Sequence, residues 1–308
     1  MDFFQQEFIS ENQQIELNSK FNGDYRFYIK REDEIHKNIS GNKFRKLKYI
    51  IQDFKRSDKT ALLTYGGAYS NHIAAVARAG QLQGCKTIGI IRGEELQVQS
   101  NSNPTLRFAK QCGMELKFVG REHYRTLTQN NQLPEMLDSG YDYYIVPEGG
   151  TSKLAIKGCE EILTASDSLF DYICVAVGTG GTIAGILNAA DPQQQVLGFS
   201  ALKGTFQHEV IKKYSSRTNY KLTDEFSFGG YAKIDSNLIR FINDFKAENG
   251  ILLDPVYTAK MVFGIYQLMS RGYFRKNSCI LAIHTGGLQG IEGMNILLKR
   301  KKLPQILQ

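Results

Sequence analysis

Lys43 is the residue best placed for covalent chemistry, in the segment SGNKFRKLKYI. Ser40 and Asn42 are residue types that cap helices, so this spacing predicts that Lys43 lies in the first turn of a helix. The positive end of a helix disfavours a charged amine, and only a neutral amine attacks a carbonyl carbon. On spacing alone Lys43 is either such an amine or an ordinary exposed lysine, as we expect Lys46 and Lys48 to be.

A glycine-rich turn follows the apolar run YICVAV and precedes a helical pattern. Backbone N–H groups of such a turn, at the positive end of a helix, converge on an anion, while glycines allow close approach and threonine hydroxyls add donors. A P-loop would need a lysine followed by Ser or Thr, and a dinucleotide-binding turn would need glycine where Ile183 stands. The turn therefore predicts a site for one phosphate, the alternative being a tight turn without a ligand. Its residues are Gly178, Thr179, Gly180, Gly181 and Thr182.

A second strand-like run, ALLTY, leads through two glycines to Ser70, Asn71 and His72, where another helical pattern opens. Hydroxyl, amide and ring donors then lie where the first N–H groups of the helix are free, an arrangement that suits a carboxylate or a phenolate oxygen. Capping of the helix by Ser70 or Asn71 explains the same spacing equally well.

Polar residues also end two late apolar stretches, LLDPVYTAK and CILAIHTGG. Tyr257 and Thr258 follow the first stretch, and His284 and Thr285 follow the second. Ligand sites of parallel α/β sheets lie at the carboxyl ends of strands, so these side chains are candidates for a site. A hydrogen-bonded core histidine is an equally good interpretation of His284.

Eight short apolar runs are predicted to be buried strands, and helical patterns separate several of them. Phe44, Leu47, Ile51 and Phe54 recur at steps of three and four residues, as on one face of a helix. Alternating strands and helices predict an α/β fold with mostly parallel sheets. The strand runs span residues 26–30, 61–65, 86–91, 115–119, 143–146, 172–177, 196–199 and 279–283.

The composition is that of an ordinary globular protein, with 308 residues of which 42% are hydrophobic and 22% charged. No run of about 18 apolar residues is present, and residues 1–14 lack the pattern of a signal peptide, so we expect a cytoplasmic protein that does not bind a membrane. Five scattered cysteines and five histidines without paired spacing predict no metal site. The net charge of +7 is spread along the chain without a nucleic-acid-binding module, so nucleic acid is not an expected partner.

Taken in order, eight motifs resemble those of one family over nearly the whole chain. They are KRED (30–33), GNKFRKL (41–47), SNH (70–72), PEGG (147–150), GTGGTIAG (178–185), GGY (229–231), LDPVYTAK (253–260) and HTGG (284–287). The sequence is similar to the D-cysteine desulfhydrase and 1-aminocyclopropane-1-carboxylate (ACC) deaminase group of the fold-type II, tryptophan synthase β-like, pyridoxal-phosphate (PLP) enzymes. Each motif alone is weak, whereas eight in the same order are specific.

The resemblance implies a two-domain α/β fold in which each domain is an open, mostly parallel sheet flanked by helices. A smaller domain of residues 53–147 would be inserted into a larger domain of residues 1–52 plus 148–308, with PLP in the cleft between them. It also implies a homodimer that acts on a small amino acid.

The resemblance also assigns roles to residues. Lys43 would form the internal aldimine with PLP, and the turn of residues 178–182 would hold the cofactor phosphate. Asn71 would bond the phenolic oxygen of the cofactor, and Ser70 would meet the substrate carboxylate or receive a proton. The other candidates lie near the substrate or the pyridine ring, and they are the catalytic tyrosines Tyr231 and Tyr257 together with His72, Thr258 and Thr285.

Two positions favour D-cysteine over ACC as the substrate. ACC deaminases of this group typically carry glutamate and leucine where Thr258 and Thr285 stand. A carboxylate near the pyridine nitrogen would favour its protonated form and deepen the electron sink, and a hydroxyl does so less. We therefore expect α-proton removal and β-elimination of sulfide from D-cysteine, with ACC deamination as the alternative.

Departures from the family pattern lie near the substrate. Tyr69 stands where relatives usually carry glutamine, and HTGG is followed by LQG. Tyr69, which we place in the substrate site, makes a D-serine or other amino-acid dehydratase a further alternative. A non-catalytic protein that binds a phosphate ligand is the alternative outside enzyme chemistry.

Overall fold

The computed structural model of the protein describes residues 3–17, 21, 24–39 and 41–308. Ser40, which we expected to cap the helix that carries Lys43, lies outside these residues. The strands of the described part are β1 (Asn12–Ile15), β2 (Tyr25–Lys30), β3 (Ala61–Gly66), β4 (Lys86–Arg92), β5 (Met114–Val119), β6 (Tyr143–Val146), β7 (Tyr172–Val177), β8 (Gln195–Ser200), β9 (Tyr220–Thr223) and β10 (Ser278–Ile283).

The strands form two sheets. One has six strands in the order β1-β2-β10-β7-β8-β9, and the other has four in the order β5-β4-β3-β6. Within the described residues, β1 pairs antiparallel with β2, and every other pairing is parallel. Every residue of β3, β7 and β10 is buried, as continuous apolar runs predict for strands covered on both faces.

All eight predicted strands are present, and the predicted α/β fold with parallel sheets is confirmed. The sequence did not predict β1 and β9, whose segments NQQI and YKLT are four residues long and mostly polar. Both lie at the edges of the six-stranded sheet, where one long side of the strand stays unpaired and little apolar surface is needed.

Helices cover the faces of both sheets. In chain order they are α1 (Asn42–Arg56), α2 (Asn71–Gln83), α3 (Pro104–Gln111), α4 (Arg121–Asn130), α5 (Lys153–Glu160), α6 (Gly181–Ala189), α7 (Gln207–Tyr214), α8 (Ser236–Asn249), α9 (Thr258–Ser270) and α10 (Gly290–Arg300). The predicted apolar face of α1 is buried in a cluster that also contains Leu62 of β3 and Ile73 of α2. Helix α1 therefore packs against the four-stranded sheet.

The other side of α1 contacts α5 at very short range. A Cβ atom on Gly158 of α5 would lie 1.8 Å from the backbone oxygen of Arg45, so only glycine allows the two helices to approach this closely. The Arg45 side chain forms a buried ion pair with Glu32, through bonds of 2.9 Å from Nε and 2.7 Å from Nη2. Ser10 donates a 2.6 Å hydrogen bond to the same carboxylate. These contacts fix the position of α1 and hence of Lys43.

Candidate active site

The start of α1 lies against the loop that follows β10. Gly41, which precedes the helix, has a φ of +58°, and a Cβ atom there would lie 2.2 Å from the backbone oxygen of Thr285. Lys43 lies on α1, which packs against the four-stranded sheet. The close approach at Gly41 places it at the carboxyl end of β10 in the six-stranded sheet. Lys43 Nζ donates a 2.9 Å hydrogen bond to Asn42 Oδ1. Burial, and secondly the charge of Lys46, lower the pKa of Lys43 from 10.5 to about 7, so much of this amine is neutral near pH 7.

Lys46 and Lys48 are buried, with 3% and 7% of their surface exposed, so the expectation that both are surface lysines is wrong. Lys46 Nζ donates to the backbone oxygen of Gly149 at 2.8 Å, and burial lowers its pKa. Lys48 Nζ lies 2.6 Å from Glu161 Oε2. Both lysines are covered because α1 packs between the four-stranded sheet and α5, which the sequence pattern of α1 does not reveal.

The turn between β7 and α6 joins a buried strand to the start of a helix, as the sequence predicts. Its Gly180 has a φ of +92°, and α6 begins at Gly181. A Cβ atom on Gly181 would lie 2.8 Å from Thr151 Oγ1 and 3.3 Å from Lys46 Nζ, so glycine leaves the space between these groups open. We call Gly178 to Thr182, Lys46 and Thr151 the phosphate cradle, after the phosphate that the sequence predicts the turn to hold.

Hydrogen bonds connect this cradle to its surroundings. Thr182 Oγ1 accepts from Asn42 Nδ2 at 2.9 Å, which joins the turn to the residue beside Lys43. The hydroxyls of Thr179 and Thr151 lie 2.8 Å apart. Beneath the turn, the fully buried Gln207 donates from Nε2 to Ser200 Oγ at 2.9 Å and to the Gly178 oxygen at 3.3 Å.

Ser70, Asn71 and His72 lie at the start of α2, where three different environments hold them. Ser70 Oγ accepts from the Ile73 amide at 3.3 Å and so caps the helix. Asn71 lines a cavity together with Lys43, and its Oδ1 accepts a 2.7 Å hydrogen bond from Gln289. The cavity is lined by Asn38, Asn42, Lys43, Asn71, Thr285, Gly287 and Gln289.

His72 is buried, with its Nε2 atom 2.8 Å from Thr64 Oγ1 and its ring 3.1 Å from where a Cβ atom on Gly150 would lie. The Thr64 hydroxyl also donates to the Val146 oxygen at 2.9 Å, so His72 Nε2 carries the proton in the arrangement that satisfies both bonds. Burial, followed by the charges of Lys43 and Lys46, lowers the pKa of His72 well below its ordinary value. The ring is therefore neutral at pH 7.

The two predicted catalytic tyrosines lie together over the phosphate cradle. The Tyr257 ring contacts Gly178, where a Cβ atom would lie 3.2 Å from Tyr257 Cε1. The ring centroids of Tyr257 and Tyr231 are 6.2 Å apart in an edge-to-face arrangement. Burial raises the pKa of Tyr231 and raises that of Tyr257 well above its ordinary value, so both hydroxyls keep their protons near pH 7.

Thr258 and Thr285 occupy different positions relative to the cavity. Thr285 lines it, whereas the fully buried Thr258 hydroxyl is held in a turn by Asp254, 2.8 Å from the Asp254 amide and 3.1 Å from Oδ1. Asp254 Oδ2 would lie 3.5 Å from a Cβ atom on Gly287, a cavity residue. Burial raises the pKa of this carboxyl group. Asp254 therefore lies beside the cavity, and the sequence analysis did not single it out.

His284 and Tyr69 are not among the residues that line the cavity. His284 is buried, donates from Nε2 to the Leu252 oxygen at 2.8 Å and accepts at Nδ1 from the Gly286 amide at 3.2 Å, which favours its interpretation as a core histidine. The Tyr69 ring packs on α10, where a Cβ atom on Gly293 would lie 2.6 Å from Tyr69 Cδ1. Tyr69 remains 38% exposed.

Sequence reasoning missed several members of the site because they come from distant parts of the chain. Thr151, Gln207, Asp254 and Gln289 carry no local signal of their own. Lys46 does carry a local signal, because it lies three residues after Lys43 and therefore faces the same side of α1. The arrangement combines the Lys43 amine, whose pKa is lowered, with the phosphate cradle and the Asn71 amide. These are the groups needed to hold an aldehyde that carries a phosphate and a phenolic oxygen.

The described residues also bear on metal binding and on membrane insertion. Among the residues that the structure describes, no group of three or more His, Cys, Asp or Glu side chains is placed to hold a metal ion. Within the same residues, no helix has both the length and the apolar character needed to cross a membrane.

Comparison with known proteins identifies the family. The family model for pyridoxal-phosphate dependent enzymes matches residues 13–286, and the chain belongs to this family. It is therefore a PLP-dependent enzyme, and the lysine, cradle and amide described above fit that cofactor.

Individual relatives are similar over most of their length. A Pyrococcus horikoshii protein provisionally named 1-aminocyclopropane-1-carboxylate deaminase is 30% identical over 282 residues, which cover 85% of each chain. The D-cysteine desulfhydrase of Yersinia enterocolitica is 27% identical, over 84% of this chain and 86% of the relative. The crystal structure of an ACC deaminase homologue superposes with a TM-score of 0.77 at 27% identity, covering 95% of this chain and 94% of the other.

Proposed function

We propose that this chain is a D-cysteine desulfhydrase, which converts D-cysteine and water to pyruvate, sulfide and ammonia. The observation that carries the proposal is the Lys43 amine, whose pKa is lowered to about 7 and which shares a cavity with Asn71 and Thr285 beside the phosphate cradle. The similarity to the D-cysteine desulfhydrase of Yersinia enterocolitica supports the same activity.

The residues of the site divide between cofactor and substrate. Bound PLP supplies the electron sink for the charge that develops at the α-carbon of the amino acid. The phosphate cradle would hold its phosphate, Lys43 would be its point of attachment, Asn71 would donate to the phenolic oxygen, and Thr285 would face the pyridine ring. Ser70 would bind the substrate carboxylate, since a hydroxyl that accepts from Ile73 can still donate its own proton.

Proton transfers would be shared between Lys43 and the two tyrosines. A Lys43 amine that is neutral near pH 7 can remove the α-proton of D-cysteine. The Cβ–S bond then breaks with its electron pair on sulfur. Because the pKa of Tyr257 is raised, this hydroxyl keeps its proton near pH 7 and would stabilise the departing thiolate as a hydrogen-bond donor rather than act as a base. Tyr231, at the Tyr257 ring edge, would assist it.

The remaining predicted substrate residues have supporting positions. His72 would present a neutral ring behind Asn71, and Tyr69, beside Ser70, would border the entrance to the substrate site. Thr258 would act through the Asp254 turn, because its hydroxyl is already bonded there. A hydroxyl rather than a free carboxylate at position 258 favours elimination of a good leaving group over ring opening.

ACC deamination is the second candidate. The provisional ACC deaminase of P. horikoshii has the higher identity, 30% against 27% for the Yersinia desulfhydrase. The Asp254 carboxyl group next to the cavity favours this candidate as well, since it could support protonation of the cofactor ring.

One set of assays separates the two. Sulfide and pyruvate from D-cysteine and L-cysteine, and 2-oxobutyrate from ACC, would be measured side by side with the PLP-loaded enzyme. We expect turnover of D-cysteine only, and its loss in Lys43→Ala. Faster formation of 2-oxobutyrate from ACC would establish the second candidate, and no turnover of either compound would overturn both.

We further propose the architecture and setting of the enzyme. Residues 53–147, which contain all of the four-stranded sheet, would form the smaller domain, and residues 1–52 plus 148–308 the larger one. The protein would be a cytoplasmic homodimer, and sedimentation equilibrium of the purified chain tests the dimer by its mass.

A further inference from the structure

Gln289 precedes α10, in the LQG segment that follows the last glycine pair of the HTGG motif. Its Nε2 atom donates a 2.7 Å hydrogen bond to Asn71 Oδ1, across 218 residues of sequence. Both side chains line the cavity that contains Lys43. The bond therefore joins the start of α10 to the start of α2 at the cofactor site.

The Asn71 amide lies in a narrow slot between two glycines. A Cβ atom on Gly287, whose φ is +93°, would lie 2.6 Å from Asn71 Nδ2, and one on Gly290 would lie 3.6 Å from Asn71 Oδ1. Packing fixes the plane of the amide but not which end carries the oxygen, since the NH2 group and the oxygen have nearly the same size. In the structure the hydrogen bond with Gln289 assigns the two ends, because Gln289 Nε2 donates to Asn71 Oδ1 and the Asn71 NH2 group is left for another acceptor.

We propose that Gln289 is a positioning residue for the cofactor. By donating to Asn71 Oδ1, it keeps the Asn71 NH2 group free to donate to the phenolic oxygen of PLP. This inference rests on the proposed function in one respect, the placement of Asn71 at that oxygen. It does not depend on which amino acid is the substrate.

Three side chains at position 289 have distinct consequences for Asn71. Glutamine, oriented as in the structure, donates from Nε2 and leaves the NH2 group of Asn71 available. Glutamate has nearly the same shape but only accepts at neutral pH, so Asn71 must turn its NH2 group toward it and present its oxygen to the cofactor. Methionine fills similar space and removes the donor without forcing either orientation.

The test is the dissociation constant of PLP, measured by titrating the PLP-free protein and following cofactor absorbance. We expect Gln289→Met to weaken binding about threefold and Gln289→Glu at least about tenfold, because a hydrogen bond to a charged oxygen is lost. Gln305→Glu, the same chemical change at an exposed residue, should leave binding unchanged. Thermal unfolding of the PLP-free variants should match the parent, which separates positioning from loss of structure.

A double-mutant cycle decides whether Gln289 acts through Asn71. In an Asn71→Ala background, Gln289→Glu should have little further effect on PLP affinity. The proposal is overturned if Gln289→Glu weakens PLP binding as strongly in the Asn71→Ala background as in the parent. It is also overturned if Gln289→Glu leaves the PLP affinity of the parent unchanged. Failure of the enzyme to process D-cysteine or ACC would refute the proposed function, and the PLP titrations would still decide the role of Gln289.

Discussion

Lys43 is buried at a cost that depends on pH. Its pKa of about 7 lies below its ordinary value of 10.5, so between these values the unfolded chain binds one more proton than the folded chain. The penalty is fully present below about pH 7 and is relieved as the pH rises toward 10.5. An amine kept reactive in this way lowers the stability of the protein before the cofactor binds.

Replacing this amine by an apolar side chain should therefore stabilise the PLP-free protein. We expect Lys43→Met to raise the free energy of unfolding by about 1–2 kcal/mol at pH 7, and by less at pH 9.5. Denaturant unfolding of both PLP-free proteins at the two pH values measures this, with the exposed Lys37→Met as the control. A gain that is absent at pH 7, or equal at both pH values, would contradict the expectation.

The charge of Lys46 is the second cause of the low pKa of Lys43. Lys46→Met should raise the midpoint for modification of Lys43 by an amine reagent by about half a unit to one unit above 7, because one repulsive charge is removed. Mass spectrometry of the Lys43 peptide across pH 6–10, in PLP-free protein, gives this midpoint. The matched variant Lys48→Met removes a lysine that pairs with Glu161 and should leave the midpoint unchanged. A midpoint that stays near 7 in Lys46→Met would show that burial alone sets the pKa.

Helix α1 carries two lysines of the site, and contacts outside the site hold this helix in place. Its first two turns carry Lys43 and Lys46, and its backbone is held by Glu32 through Arg45 and by close contact with Gly158 of α5. The buried ion pair is a costly arrangement unless both partners are present. The position of Lys43 therefore depends on residues that do not touch the cofactor.

A methyl group at position 158 tests this dependence. Gly158→Ala would place a carbon atom 1.8 Å from the Arg45 oxygen, so α1 and α5 must separate. We expect a loss of about 1–3 kcal/mol in the free energy of unfolding, together with weaker PLP binding because Lys43 moves with α1. Gly120→Ala is the control, since its nearest atom would be 3.7 Å away at an ordinary φ. Equal stability of the two variants would show that the contact can relax at no cost.

At the level of elements, the sequence predicts what is local and apolar. The strands YICVAV and CILAI and the face of Phe44, Leu47, Ile51 and Phe54 were predicted because burial on both sides requires continuous or periodic apolar residues. Strands β1 and β9 were missed because edge strands have no such requirement. The burial of Lys46 was missed because it depends on α5, which lies about 100 residues later in the chain.

At the level of the whole molecule, the site exists only where the two sheets meet. Asn71 belongs to α2 beside the four-stranded sheet, and Gln289 precedes α10, whose Ile291 and Met294 are buried with the core of the six-stranded sheet. No local pattern predicts a contact between residues so far apart in sequence. The sequence could predict the lysine, the glycine turn and Asn71 as separate candidates, but it could not predict the side chains that hold them.

The packing of Tyr69 on Gly293 is a second contact between the elements around the four-stranded sheet and those around the six-stranded sheet. It tests whether the close packing of these two halves of the molecule supports cofactor binding. A Cβ atom at position 293 would lie 2.6 Å from the Tyr69 ring, so Gly293→Ala must displace either the ring or α10. We expect a loss of about 1–2 kcal/mol in the free energy of unfolding and a several-fold weaker affinity for PLP, because the Asn71–Gln289 bond lies one turn away.

Removing the Tyr69 ring should abolish the loss of stability that Gly293→Ala causes, or turn it into a small gain. In a Tyr69→Ala background the space at position 293 is open, and alanine is favoured over glycine inside a helix by about 0.5–1 kcal/mol, so Gly293→Ala should become neutral or slightly stabilising. Denaturant unfolding and PLP titration of the four proteins in this cycle give both quantities. If Gly293→Ala costs the same with and without the ring, the contact does not couple the two halves, and the orientation of Asn71 must be set by Gln289 without help from Tyr69.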